Sequence, residues 1–283
     1  MAALGEGRGL TPILVRMLEG RVGSTAMLQL LGTSSAVAFD RVYPFQNGYL
    51  TYFVRLTNQI SRQNPTGQEL VEFIYRSDVN IEPLPFQAGV IDPVDMARRS
   101  LSAIWQEFSS SVIERSAGVR YYAEKYWGGI DRVIDAGIHP IIIDLVRDPR
   151  DIIASMRSFN ERHSNRLFGR PLADDDWQHL QKTVLGMAQR FNEFALPVPV
   201  PRLRVRYEDF VTDMASQAAK IGALLEVDLN VGAVTADSPV LESHMTAESV
   251  EASIGRWRDE LAPSEVSFIE RRLGASMREL GYV

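Results

Sequence analysis

Pro12 to Gly32 reads PILVRMLEGRVGSTAMLQLLG. Pro12–Met17 is apolar and β-branched, which reads as a strand. Ala26, Met27, Leu30 and Leu31 recur at helical spacing, which reads as a helix. A strand, a short glycine turn and a helix in immediate succession direct the chain toward a parallel sheet with helical crossovers. The turn itself has two readings. A glycine turn that opens a helix leaves backbone N–H groups pointing outward, where they can hold an anion. The plainer reading is a tight connection with no ligand. A Walker signature needs Gly-Lys-Ser/Thr, whereas Gly23 runs straight into Ser24 and Thr25, so an ordinary nucleotide triphosphatase is disfavoured.

The same alternation continues along the chain. Further strand candidates are Ala36–Phe39, Val119–Ala123, Ile141–Val146 and Leu203–Arg206, beside Ile13–Met17. Helices are expected at Thr25–Leu31, Gly48–Ser61, Pro93–Ala117, Pro149–Phe159, Asp175–Ala195, Phe210–Leu225 and Ser264–Leu280. Met214, Ala218, Ile221 and Leu225, for example, share one helical face. The expected architecture is α/β, with a parallel sheet of about five strands covered by helices on both faces. The 283 residues suffice for one large domain, expected to span 1–283 with residues 1–10 as a loose tail. In such sheets ligands sit at the carboxyl ends of the strands.

Composition narrows the partners. The net charge of −6 disfavours a general nucleic-acid binder, so any anion site must be local. No run approaches the roughly 18–20 apolar residues of a membrane-spanning helix. The start, MAALGEGRGL, lacks the basic and apolar regions of a signal peptide. Cysteine is absent, which removes disulfides and thiolate metal sites and fits a reducing, cytoplasmic location.

Three further stretches carry chemistry. In IIIDLVRDPRDIIASM (Ile141–Met156) a buried strand ends at Arg147. Asp148 can cap the next helix, Pro149 suits its first position and Asp151 favours its positive end. A helix start does not account for Arg147, a charge at the ligand end of an apolar strand. Nor does it account for Ser155, two helical turns beyond Asp148 and on the same side. Arg147 and Ser155 could grip one phosphate. In YYAEKYWGG (Tyr121–Gly129), Lys125 lies at a ligand end, although a solvated lysine is the commoner case. In SIGRWRDEL (Ser253–Leu261), glycine beside arginine and tryptophan can lay backbone, guanidinium and indole on a nucleotide, or simply pack a helix.

Together these residues resemble the sulfotransferases that use 3′-phosphoadenosine 5′-phosphosulfate (PAPS). The resemblance runs from Pro12 to Tyr282 and is carried, in family order, by GRVGST, VRDPRDIIAS, VRYEDF and SIGRWRDEL. It implies a P-loop-like three-layer sandwich and a metal-independent enzyme that moves a sulfuryl group to an acceptor hydroxyl. It also implies that Arg21, Val22, Gly23, Ser24 and Thr25 hold the 5′-phosphosulfate, and that Arg147 and Ser155 hold the 3′-phosphate. Tyr207 of VRYEDF and the loop of Gly255, Arg256 and Trp257 complete the nucleotide site. For the charge that grows on the bridging oxygen, Arg21 is the first candidate, where many relatives carry lysine, and Lys125 is the second.

The general base is the point of departure. Relatives acting on small phenols and alcohols carry histidine two positions after the strand-end lysine; here that position is Trp127. Other relatives, carbohydrate enzymes among them, place a carboxylate after the second strand, and Asp40 is the nearest match. Burial under Phe39 and Tyr43 would raise its basicity. The alternative for Asp40 is a surface or salt-bridging role. His163 and His244 are reserves, His139 lies at the wrong end of its strand, and His179 is expected on a solvated helix face. The aromatic stretch Asp40–Ile60 is expected to form much of the acceptor wall or to pack beneath it, and Asn160–Asp176 to form a lid. The carboxylate analogy favours a carbohydrate or glycolipid hydroxyl over a small metabolite or phenol. Two other readings are a phosphoryl transferase on a related fold and a non-catalytic nucleotide-binding module.

Overall fold

The structure, a computed structural model, describes residues 9–42, 45–61, 92–162, 175–235, 246–247, 249 and 251–283. Its centre is a sheet of β1 (Thr11–Met17), β2 (Val37–Ala38), β3 (Tyr121–Tyr126), β4 (Ile141–Val146) and β5 (Arg202–Arg206). The strand order is β2-β3-β1-β4-β5 and every pairing is parallel. The helices are α1 (Ser24–Leu31), α2 (Tyr49–Ile60), α3 (Pro93–Arg115), α4 (Ile130–Asp135), α5 (Pro149–Arg162) and α6 (Asp176–Ala195). They continue with α7 (Tyr207–Thr212), α8 (Met214–Leu225), α9 (Gly232–Thr235), α10 (Trp257–Glu260) and α11 (Pro263–Glu279).

Alternation along β1 splits the apolar side chains between two layers. Ile13, Val15 and Met17 join the larger core with α1, α5, α6, α8 and α11. Leu14 joins the smaller one with Leu50 of α2, Leu101 and Trp105 of α3, and Val133 of α4. A strand read on alternate residues thus feeds helices on both faces, the arrangement expected of a buried parallel sheet. The sequence DPRD also folds as its local chemistry dictates. Asp148 accepts the Arg150 N–H at 2.9 Å and caps α5, with Pro149 in the first turn.

Four expectations need correction. First, β3 does not stop at Ala123; it runs on to Tyr126, because Glu124 and Lys125 are buried with hydrogen-bond partners that offset the cost of burying charge. Second, Phe210–Leu225 is not one helix: α7 ends and α8 begins at Asp213, whose carboxylate accepts the Ser216 N–H at 3.0 Å. Third, α4 follows the Gly128-Gly129 turn where no helix was expected. Fourth, His179 is buried in α6 against the core rather than solvated. Tyr43, His163, His244 and positions 163–174 of the expected lid lie outside the described residues. Among the described residues no helix is long and apolar enough to cross a membrane.

Candidate functional site

The loops leaving β1, β3, β4 and β5 meet at the carboxyl edge of the sheet. The Leu18–Gly23 loop turns through two left-handed residues, Arg21 at φ 67° and Gly23 at φ 82°. Glycine is required at the second for two reasons. The conformation favours it, and a Cβ there would stand 2.9 Å from the Tyr207 ring. The chain then enters α1 with no side chain capping its leading N–H groups. Those donors and the positive end of the helix face the same edge. The Val22 side chain is buried in the core, so this residue offers the site only its backbone.

Arg147 leaves β4 into the middle of this edge and is buried. Its Nη1 donates to the Arg21 carbonyl at 2.7 Å and its Nη2 to the Ser253 carbonyl at 2.6 Å. The guanidinium lies over the Tyr207 ring at 4.2 Å, and the Tyr207 hydroxyl meets Ser253 Oγ at 2.8 Å. Its Nε is buried with no partner among the described residues. Ser155 lies on the same side, as its spacing predicts. Its Oγ accepts from Arg21 Nε at 3.2 Å and meets Thr246 Oγ1 at 3.0 Å. Arg21 also lies over the Phe159 ring of α5 at 4.7 Å. Arg256 reaches Thr246 Oγ1 at 2.9 Å and Ser158 Oγ at 2.7 Å, and pairs with Glu260 at 2.6 Å. The structure therefore joins Arg21, Arg147, Ser155, Tyr207 and Arg256 in one network of cations and hydroxyls. Trp257 stands at its border, with its ring 3.9 Å from the Arg150 guanidinium.

Lys125 approaches from β3. Its Nζ donates to Thr25 Oγ1 at 3.2 Å, in the first turn of α1. Burial, and secondarily the Arg21 charge, pushes its pKa down to about 8. The lysine is thus directed to the first turn of α1, while Arg21 is directed to Ser155.

Asp40 is not joined to this network by its hydrogen bonds. One oxygen accepts the Val42 N–H at 2.9 Å and the other accepts from the Asn47 amide, so the carboxylate stabilises its own turn. It is half-buried, and the Phe39 ring packs on Phe45 and against Gly32. The rings of the aromatic stretch divide between packing and exposure. Tyr49 and Phe53 pack with Phe108 and Tyr122, while Tyr52 and Trp127 stand exposed.

Two residues escaped the sequence reading. Glu124 is buried on the α2 face of β3, and its carboxylate accepts the N–H groups of Leu50 at 2.9 Å and Thr51 at 3.0 Å, and the Thr51 hydroxyl at 3.1 Å. It replaces a local cap for α2, whose N-cap residue is Gly48. Burial outweighs these bonds and raises its pKa to about 7. A carboxylate directly after the apolar strand candidate Val119–Ala123 was the available signal. Asp151 is the second: it was read only as serving the helix end, yet it bonds to a loop more than a hundred positions away. Sequence carries no signal for a pairing at that separation.

Comparison with known proteins gives one family. The model described as "Sulfotransferase family" matches residues 19–230. No curated protein matches the sequence. Among solved structures, a sulfotransferase domain from the curacin biosynthetic pathway aligns with a TM-score of 0.52 at 15% identity, covering 94% of this chain and 97% of that one. At that identity the likeness establishes the fold. The sulfotransferase STF9 of Mycobacterium avium aligns at 0.48 and 12% identity, covering 98% of this chain and 78% of that one. Mouse sulfotransferase SULT7A1, solved with 3′-phosphoadenosine 5′-phosphate (PAP), aligns at 0.36 and 16% identity, covering 90% and 91%.

Proposed function

Because the chain belongs to the sulfotransferase family, we propose that it takes the sulfuryl group from PAPS and passes it to an acceptor hydroxyl. In that reaction the bond from sulfur to the bridging oxygen breaks, a bond from sulfur to the acceptor oxygen forms, and the acceptor proton leaves to a base. One observation supports the nucleotide assignment above others: the buried Arg147 Nε, a cationic donor with no hydrogen-bond partner among the described residues, inside a network already rich in cations. An anion is the group that such a donor lacks.

The geometry favours a division of labour. Arg147, Ser155 and Arg21 hold the 3′-phosphate, since Arg21 bonds to Ser155. The leading N–H groups of α1, with Ser24, Thr25 and Lys125, hold the 5′ end. Negative charge grows on the bridging oxygen in the transition state, so a cation there lowers the barrier more than it strengthens binding. Lys125, held on Thr25, is the residue we place there, in preference to Arg21. Gly255, Arg256 and Trp257 cover the nucleotide, with Tyr207 beneath the Arg147 guanidinium.

For the acceptor we propose a carbohydrate or glycolipid hydroxyl with Asp40 as base. What supports this is the position of Asp40 directly after β2, where the carbohydrate enzymes the sequence resembles place a carboxylate. The cysteine-free composition supports a cytoplasmic location, and the fit of one sheet with one site supports a single domain over 1–283. Calorimetry with PAP and with adenosine 5′-phosphate tests the nucleotide reading. PAP should bind far more tightly, because charged hydrogen bonds contribute roughly 1.5–3 kcal/mol each, and Arg147→Ala should remove most of the difference. Equal affinity of the native protein for both nucleotides would reject the 3′-phosphate assignment.

A further inference from the structure

Asp151 sits in the first turn of α5, where an acidic residue ordinarily serves the positive end of its own helix. This one is buried and turned outward. Its Oδ2 accepts the Gly255 N–H at 2.7 Å and its Oδ1 accepts the Trp257 N–H at 3.1 Å. Between them the loop makes a left-handed turn at Gly255, φ 75°. The same loop is held from two neighbours of Asp151 in sequence: Arg147 bonds to the Ser253 carbonyl, and Arg150 lies on the Trp257 ring. One five-residue segment therefore fastens loop 253–257 at every other residue.

This carboxylate is oddly placed for an anion site. Burial raises its pKa, against the opposing pull of the Gly255 and Trp257 N–H groups and of the Arg147 charge. A second negative charge near a phosphate weakens phosphate binding unless it supplies something larger. Two short bonds that immobilise a loop before the ligand arrives are such a supply, because a loop already in place costs no ordering on binding.

We propose that Asp151 is a positioning residue for the nucleotide: it fixes loop 253–257 so that the loop backbone and Arg256 stand ready over the donor. This rests on the reading of that loop as the nucleotide cover. The test is calorimetry of PAP binding to Asp151→Asn, with amide exchange followed over residues 251–258. Asparagine keeps the shape and removes the charge, so the two roles predict opposite signs. Charge repulsion alone predicts tighter binding. The positioning role predicts binding about tenfold weaker, from the loss of a charged hydrogen bond, and faster exchange at Gly255 and Trp257. Unchanged or tighter binding in a folded variant overturns the proposal. Asp151→Glu keeps the charge and displaces it by one methylene; weaker PAP binding is expected there too, and native affinity overturns the proposal if the first variant does not fold. Should the native protein fail to bind PAP, the nucleotide reading is at fault, and exchange alone judges the clasp: native exchange rates at Gly255 and Trp257 in Asp151→Asn would end it.

Discussion

Two neighbours in β3 show how much a single side chain can decide. Lys125 faces α1 and Glu124 faces α2, since successive residues of a strand point to opposite faces. Burial pushes the Lys125 pKa down to about 8 in the free protein, so kcat/KM for PAPS should fall as pH rises through about 8 and the cation is lost. Lys125→Gln should lower turnover by about 10²–10³, the usual effect of removing one stabilising donor. Arg21→Ala should instead weaken PAP binding with a smaller effect on turnover. Steady-state kinetics with varied PAPS separate the two, and a turnover loss confined to Arg21→Ala would exchange their roles. Glu124 makes a different expectation. Its folded pKa, about 7, lies above its unfolded value, so the native state binds the proton more tightly. That contribution is fully present below about pH 4.5 and is lost as pH rises through about 7. Denaturant unfolding at several pH values should show the decline in the native protein, and Glu124→Gln should flatten it. A parallel decline in the variant would assign it to other groups.

Elements here are joined by buried charge as well as by apolar contact. Asp144 of β4 is fully buried and accepts from Arg16 of β1 at 2.7 Å and 3.1 Å, and from Arg202 of β5. Arg202 also donates to the Phe194 carbonyl, and to Leu196 at 3.1 Å, closing the C-terminal end of α6. Three strands and a helix end thus share one carboxylate. Asp144→Ala would leave two cations facing each other out of water, and should cost about 3–5 kcal/mol. Chemical denaturation should show it as a fall in midpoint at constant slope; a loss below about 1 kcal/mol would mean that water or a rearranged Arg202 replaces the carboxylate. A second junction fastens α11: Arg150 bonds to Asp148, to Glu270 at 2.7 Å and to the Tyr282 carbonyl at 2.7 Å.

At the scale of the molecule, what could be read in the sequence divides along the range of the interactions. The strands, the two-faced covering and the Asp148-Pro149 helix start were legible, because periodicity and caps are local. So was the meeting of Arg147 and Ser155 on one side, which two turns of helix set. The direction of Arg21 was not: its left-handed backbone and its bond to Ser155 depend on a partner 134 positions away. Nor were the burial of Glu124 and the reach of Asp151, since a charge inside a strand or at a helix start reads as solvated until its distant partner is known. Asp40 was read as a base from its place after β2, and the structure adds a turn-stabilising pair of bonds that no pattern announced.

Arg147 bridges the carbonyls of Arg21 and Ser253, so the network at the carboxyl edge is stitched from an early and a late segment of the sequence. This has a consequence for how the protein comes into being. As the chain leaves the ribosome, all five strands are available well before residues 246–257 emerge. The sheet can gather while the cradle lacks Thr246, Ser253 and the loop held by Asp151. A chain halted before residue 246 therefore lacks these partners of Arg147 and Ser155 and also the part of the larger core that α11 supplies.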